Sequence, residues 1–432
     1  MTAPDRPGWL PTPALSAAIG AIALLLLLAV TLNRQDLLVI ALPLVAGTVL
    51  PLLTRAHRFP QLRVGARSVR LLEGESTYLD GQLSDPDSVD LVRLRFDLEG
   101  WVELPDGAGD QVLAVRGGQP REFTARLLGT RWGRGHLERV QLSATTGHGM
   151  LRAQQNYRPG LNFQVVPLRD GFTATDLVPG AIGVVGGHRS RRPGEGVDLA
   201  GLRQFAPGDR LRRINWAVST RTGRLHVTST YSDRDAEVVL VIDTSAEVGV
   251  STGVAGTSNN IDLSVRAAAA IAEHYLRNGD RVGLLDLARA GRPIRSRTGR
   301  GQLNRLVDQL VDVRAAPASE QALGRALLKI SPRALVIVLS PLLSDEVSGA
   351  VAELARGGRS AVLVDTLPDG QLLPDPSDWT ELAWRIQLLH RQNLIAALAD
   401  YGVPVVAWQG SGSLDQVLIG LSRAATTPRL RR

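Results

Sequence analysis

The residues able to do chemistry in this chain are few in kind. It contains no cysteine, which removes disulfides, thiolate metal sites and a cysteine nucleophile. Its single lysine, Lys329, follows no glycine-rich loop, so neither a Walker-type phosphate loop nor a serine–lysine hydrolase is expected. The seven histidines are scattered and show no HExxH-like spacing, so no zinc hydrolase is indicated. "GVSTG" at Gly249–Gly253 matches the G-x-S-x-G nucleophile pattern around Ser251. That pattern needs a sharp strand-to-helix turn, and here a long Gly/Ser/Thr loop follows the strand.

The most distinctive run is "GEGVDLAGLRQFAPGDRLRRINWAVSTRTGRLHV", Gly194 to Val227. Pro207-Gly208 suits the centre of a turn, with glycine supplying the positive φ. Asp209 is then placed to cap a short helix over Arg210–Trp216, and "RLHVTSTY" reads as a strand. Two roles fit these residues. Arg203, Asp209, Arg213 and Trp216 either lock a folded connector through buried charge-assisted hydrogen bonds, or the same surface docks a partner.

The elements that position these residues begin with a membrane signal. Lys and Arg exceed Asp and Glu by 49 to 42, a net charge of +7 carried almost entirely by arginine, which suits nucleic acid or an anionic membrane surface. No helix-turn-helix or RNP motif accompanies the arginines, so nucleic-acid binding is not expected. The uncharged runs Ala14–Leu32 and Leu37–Leu53 are each long enough to cross a bilayer. Only Arg34 lies in their connection, whereas Arg55, Arg58, Arg63, Arg67 and Arg70 follow the second run. The positive-inside rule therefore predicts a hairpin in the cell membrane with both ends and the soluble parts cytoplasmic.

Residues 1–58 are thus read as a tail plus two transmembrane helices. Residues 59–170 alternate short apolar runs with turn residues and predict an immunoglobulin-like β-sandwich. Trp101 and Trp132 are assigned to packing there. Residues 171–235 form a linker and the distinctive run. Residues 236–422 alternate apolar strands, beginning with Val238–Ile242, with helical patterns such as that from Ile261 to Leu276. That predicts a doubly wound, Rossmann-like α/β domain. Residues 423–432 read as a basic tail.

Gly194, Gly196, Leu202-Arg203, Phe205, Pro207-Gly208-Asp209, Arg213, Trp216 and Ser219 closely resemble the signature of the domain-of-unknown-function family number 58. "RWGRGHLERVQL" is similar to that family's closing strand of the β-rich region, while "TTGHGML" departs from the Asp-Pro-Phe-Gly-Leu pattern that usually follows. The resemblance implies two membrane spans, a β-rich region and a von Willebrand factor A-like α/β domain. It also implies a MoxR-type AAA+ ATPase as partner and names no reaction; the residues themselves show no catalytic constellation and identify no small-molecule substrate, so an adaptor is expected.

A von Willebrand A-type domain binds Mg²⁺ through Asp-x-Ser-x-Ser with a threonine and an aspartate from later loops, oxygen ligands of the kind hard cations take. Here the first loop supplies Asp243 and Ser245, with Glu247 in place of the second serine, and Thr298 stands as the second-loop ligand. Ser340 is followed by Pro341 where the later aspartate is expected, and Asp345 reaches back only if its loop bends. The resemblance therefore implies a degenerate site, either holding Mg²⁺ or with Asp243 capping the adjacent backbone. The alternative functions are a metal-dependent hydrolase centred on Asp243, a serine hydrolase at Ser251, or a nucleic-acid-binding membrane protein.

Overall fold

The computed structural model describes residues 8–84, 89–105, 107–115, 120–168, 190–206, 214–232, 237–287, 293–317, 327, 330–332, 334–368 and 377–408, with backbone alone for 190–201, 229–232 and 378. The chain is a mixed α/β, multidomain protein with two apolar helices near its N-terminus. It divides into two compact units, 1–166 with 253–255, and 167–252 with 256–432.

In the first unit β1 (Leu10–Pro11) leads into α1 (Pro13–Thr31), and α2 (Asp36–Leu53) follows after a short connection. Both helices are long and apolar enough to cross a membrane by length and composition, with mean hydropathies of 2.5 and 2.2. Protein covers little of them, and Val30, Val39, Leu42 and Leu53 are all exposed. The hydroxyls of Thr31 and Thr48 donate back to Leu27 O (2.9 Å) and Leu44 O (3.0 Å), so the helices' own polar side chains are satisfied internally, as an apolar surrounding requires.

The strands of this unit are β2 (Gln61–Ala66), β3 (Arg70–Leu72), β4 (Ser76–Ser84), β5 (Val89–Gly100), β6 (Val102–Glu103), β7 (Asp110–Ala114), β8 (Arg121–Gly129), β9 (Gly133–Thr146), β10 (Leu151–Tyr157) and β11 (Leu161–Val166). One sheet runs β1-β10-β9-β11-β3 with β5 and β7 attached through β9, and the other runs β2-β4-β8-β6. All pairings are antiparallel except β11 with β3. Alternate residues of the two sheets, among them Leu79, Leu83, Phe123 and Leu127 facing Leu94, Val140, Leu142 and Phe163, fill one shared core. A glycine is required at Gly81, where a Cβ would fall 2.0 Å from the Phe123 ring. Trp132 is buried, and the Arg131 guanidinium stacks over both Trp101 and Trp132. The stretch expected to close the β-rich region is instead its central strand: β9 pairs with β5, β10 and β11, and two strands follow it.

The turn after β9 holds both ends of the helical hairpin. Thr12 donates its N–H to Met150 O (2.9 Å) and its hydroxyl to Gly149 O (2.8 Å) at the start of α1. Beyond α2, the Ala56 N–H donates to the buried Thr146 Oγ1 at 2.8 Å. The connection between α1 and α2 therefore lies at the end of the hairpin away from the sheets.

In the second unit, β12 (Ser190–Gln204) pairs with β13 (His226–Ser232) as a two-stranded antiparallel ribbon, with α3 (Trp216–Thr222) between them. The segment read as a linker thus contains a ribbon, formed by a pairing across a gap in sequence that local patterning does not reveal. The remaining elements are β14 (Glu237–Ile242), α4 (Asn260–Arg277), β15 (Arg281–Asp286), β16 (Ile294–Arg297), α5 (Arg300–Val311), β17 (Leu335–Ser340), α6 (Asp345–Arg356), β18 (Ser360–Asp365), α7 (Asp378–Asp400) and β19 (Val405–Ala407). They build a sheet of order β16-β15-β14-β17-β18-β19, parallel except for the edge strand β16. Val239 and Val241 of β14 share a core with Val347 and Val351 of α6 and Leu398 of α7, while α4 packs against β14, β15 and β17.

Thr146→Val deletes the acceptor for a buried backbone N–H and keeps the side-chain volume. The full chain in detergent should lose about 1–3 kcal/mol in chemical unfolding, and Thr146→Ser should retain most of it. A valine variant as stable as the parent would show that this bond does not fasten the hairpin.

Candidate functional site

The strand order reverses between β14 and β17, whose neighbours lie on opposite sides, so their carboxyl ends form a switch point of the kind where α/β sheets place ligand crevices. Asp243 is the first polar residue after the apolar run of β14 and is 1 % exposed. A carboxylate so placed must find its hydrogen bonds inside the protein. Asp243 Oδ1 accepts from Ser245 Oγ (2.5 Å) and Ser245 N (3.1 Å), and Oδ2 accepts from Ser340 Oγ at 2.5 Å. Ser340 ends β17, is itself buried, and its Oγ accepts from Leu342 N (3.0 Å). Leu342 holds a left-handed φ of 54° to make that turn.

A second buried carboxylate, Asp286, ends β15 beside Asp243 and accepts the hydroxyl of Thr244. The loop from β14 to α4 is fixed by Asn260, whose Oδ1 accepts from Val248 N (2.7 Å) and whose Nδ2 donates to Ala246 O (2.9 Å). Asn259 caps α4 in a reciprocal box with Asp262. At the end of β18, Asp365 is paired with the buried Arg391 of α7, whose Nε also donates to Pro341 O at 2.8 Å. Ser344 caps α6 and donates to the Glu346 carboxylate, which holds that carboxyl below its usual range.

Of the residues assigned to a metal, the structure brings together Asp243 and Ser245. Glu247 is exposed and accepts from the Asn259 side chain instead. Thr298 follows β16, where Arg297 is in register with Val282, while Asp243 follows Ile242, in register with Asp286. Thr298, one step past Arg297, therefore lies level with Arg281 and Asp243 level with Leu287, at opposite ends of the strands and roughly 20 Å of strand apart. The antiparallel course of the edge strand causes this. Asp345 does not bend back; it starts α6 and pairs with His390 of α7 at 2.7 Å. Among the described residues no group of three or more His, Asp or Glu side chains could hold a metal ion. The donor set at Asp243 is one buried carboxylate that already accepts three hydrogen bonds, with no second and third acidic or histidine ligand beside it among the described residues, and it does not fit a Mg²⁺ ion. Ser251 lies midway along the long loop that joins β14, ending at Ile242, to α4, starting at Asn260, so it does not sit at a sharp strand-to-helix turn.

The distinctive run is partly visible. Gly194 and Leu199 of β12 are both in register with Thr230, so Gly196 falls within a bulge between them. Phe205 N donates to Leu225 O at 2.9 Å. Helix α3 begins at Trp216: Ile214 is bridged to Val227, and Asn215 caps the helix by accepting from Val218 N (3.2 Å); of the helix expected over Arg210–Trp216, residues 210–213 lie outside the described residues. Ser219, buried, donates to Asn215 O (2.8 Å) and accepts from His226 N (2.9 Å), tying helix to ribbon. Trp216 is 63 % exposed and Arg203 is also exposed, so neither is buried as a connector lock would require. Pro207, Gly208, Asp209 and Arg213 lie outside the described residues. A second exposed apolar face, which the sequence reading missed, runs along α7: Trp379 (81 % exposed), Leu382, Ile386 and Leu389. The signal was present as 3-4-3 spacing on one side of a helix.

The family model described as "Protein of unknown function DUF58" matches residues 201–375. Uncharacterized proteins of Mycobacterium tuberculosis and Mycobacterium bovis are each 35% identical over 134 residues, 31% of this chain and 41% of theirs. The chain thus spans about two fifths of the length of these curated relatives. Among solved structures, native alpha-2-macroglobulin of Escherichia coli, from domain MG7 to the C-terminus, covers 26% of this chain and 17% of its own, with 13% identity and a TM-score of 0.19. Beta-glucosidase of Listeria innocua in complex with glucose covers 26% and 16%, with 8% identity and a TM-score of 0.15. Likeness at that level carries no argument. The family-model match and the mycobacterial relatives support the DUF58 family.

Ser340→Ala removes a donor to a buried carboxylate and should cost about 1–3 kcal/mol of stability. In a double-mutant cycle with Asp243→Asn in urea unfolding, the two changes should couple by about 0.5–3 kcal/mol; strict additivity would show that the Ser340–Asp243 bond contributes nothing.

Proposed function

We propose that the protein is a membrane-anchored, cytoplasm-facing interaction protein that works with a MoxR-type AAA+ ATPase in assembly or maturation of membrane or envelope components. The observation that carries this reading is the pair of exposed aromatic and apolar surfaces on the second unit, Trp216 on α3 and the Trp379–Leu389 face of α7. Large exposed apolar side chains grouped on one face mark interaction sites, and Trp with Arg is the pairing that dominates binding hot spots. Arg203, Arg221 and Arg224 are exposed on the same ribbon-and-helix module as Trp216. The family match is consistent with this reading, and the ATPase partner is carried over from the resemblance. In this reading the α/β unit is a von Willebrand A-like domain and the β-rich unit an immunoglobulin-like sandwich, both carried over from the resemblance.

Anchoring rests on α1 and α2, and sidedness on arginine: Arg34 alone in the connection, already paired with Asp36 at 3.1 Å, against Arg55, Arg58 and Arg63 after α2. Because the chain has no cysteine, single cysteines report position cleanly. In intact cells an impermeant maleimide should label Arg34→Cys and spare Arg63→Cys until the membrane is opened. The reverse pattern would invert the topology.

The partner is tested by affinity recovery of the full-length chain from detergent-solubilised native membranes, followed by titration against the purified ATPase. Trp216→Ala and Leu389→Asp should each weaken binding by about tenfold or more with unchanged unfolding midpoints. If no AAA+ ATPase is recovered with the parent chain, the adaptor reading fails.

A further inference from the structure

We infer that Ser340 makes the switch-point cluster a hydroxyl-locked carboxylate and so keeps it from being a divalent-cation site. The inference stands on the local chemistry and does not depend on the adaptor reading.

The position of one proton decides the matter. Ser340 Oγ accepts the Leu342 N–H at 3.0 Å and lies 2.5 Å from Asp243 Oδ2. A carboxylate oxygen has no hydrogen to give, so the serine must direct its proton at Asp243. Asp243 Oδ1 is taken in the same way by the Ser245 hydroxyl and N–H. A cation beside Asp243 would therefore meet hydroxyl protons where it needs oxygen lone pairs. Turning the Ser340 hydroxyl around would leave Asp243 Oδ2 without that donor in a pocket where both residues are buried, a loss comparable with other buried unmade bonds. Mg²⁺ also demands near-octahedral oxygen geometry, and among the described residues no group of three or more acidic or histidine side chains stands at Asp243 to supply it. Neighbouring charge brings no compensation: Glu247 is turned to Asn259, Asp345 to His390, and Asp286 is hydrogen-bonded by Thr244.

The converse follows from the same geometry. A carboxylate at position 340 would set two acids against one another, and two adjacent buried carboxylates cannot both ionise without a proton or a cation between them. Residue 340 is then the determinant of whether this pocket binds metal.

Mn²⁺ uptake by the full-length chain in detergent, followed by the loss of the free-ion paramagnetic resonance signal, tests this beside melting temperature in Mg²⁺ and in chelator. The parent should show no saturable uptake to millimolar Mn²⁺ and equal melting temperatures in both buffers. Ser340→Asp should take up one ion per chain, melt higher in Mg²⁺ than in chelator, and lose both properties when Asp243→Asn is added. Saturable uptake by the parent that disappears in Asp243→Asn overturns the inference. A folded Ser340→Asp that takes up no ion overturns the claim for residue 340. The parent measurement requires no Ser340 variant to fold, so the first claim is decided even if that variant does not.

Discussion

A strand buried on both faces cannot end in a charge unless the protein supplies that charge with hydrogen-bond donors. β14 is such a strand: Val238 to Ile242 are all buried, and the strand is hydrogen-bonded to parallel neighbours on both sides. Asp243 follows immediately, and its carboxylate recruits donors from its own loop and from the end of β17. Satisfying one side chain thus fixes the relative ends of the two central strands and the path of the turn that follows Ser340. Breaking a bond of this kind leaves an uncompensated buried charge, which costs far more than a surface ion pair contributes.

The same turn transmits order to the outermost helix. Pro341 O accepts from Arg391, which also pairs with Asp365 at the end of β18, and Leu343 O accepts from Gln387. Arg391 and Gln387 lie one turn apart on α7, so that face must point at the strand ends. Leu398 in the core fixes the helix farther along. Helical periodicity then leaves Trp379, Leu382, Ile386 and Leu389 no place but the outer face. The exposed apolar stripe is a geometric consequence of the polar contacts at the switch point, and a surface held so rigidly loses little conformational entropy when a partner covers it.

Sequence alone reveals elements whose signal is local. The uncharged runs read as spans at 14–32 and 37–53 are helices at Pro13–Thr31 and Asp36–Leu53, and the helical spacing from Ile261 is a helix from Asn260 to Arg277. The apolar run at Val238 is a central parallel strand. What failed depended on register between distant segments. Local patterning did not mark Trp216 as the first residue of α3, because what sets that start is the cap from Asn215 and the bridge of Ile214 to the distant Val227. Thr298 leaves the site because β16 runs antiparallel, and no residue near Thr298 announces that direction. Ser340 entered the sequence reading only as the residue before Pro341, and its role becomes visible only when β17 lies beside β14.

Trp216 shows how a signature residue is reassigned by its surroundings. An anchoring tryptophan would be buried and the short helix would depend on it. Instead α3 is held by backbone-directed bonds from Asn215 and Ser219 to its first turn and to His226, none of which involves the indole. The helix is one to two turns long, too short to persist on propensity, so these bonds and the Ile214–Val227 bridge are what define it. The indole is then free of any structural duty among these contacts. A large aromatic side chain 63 % exposed beside exposed arginines is the feature on which the proposed docking role draws.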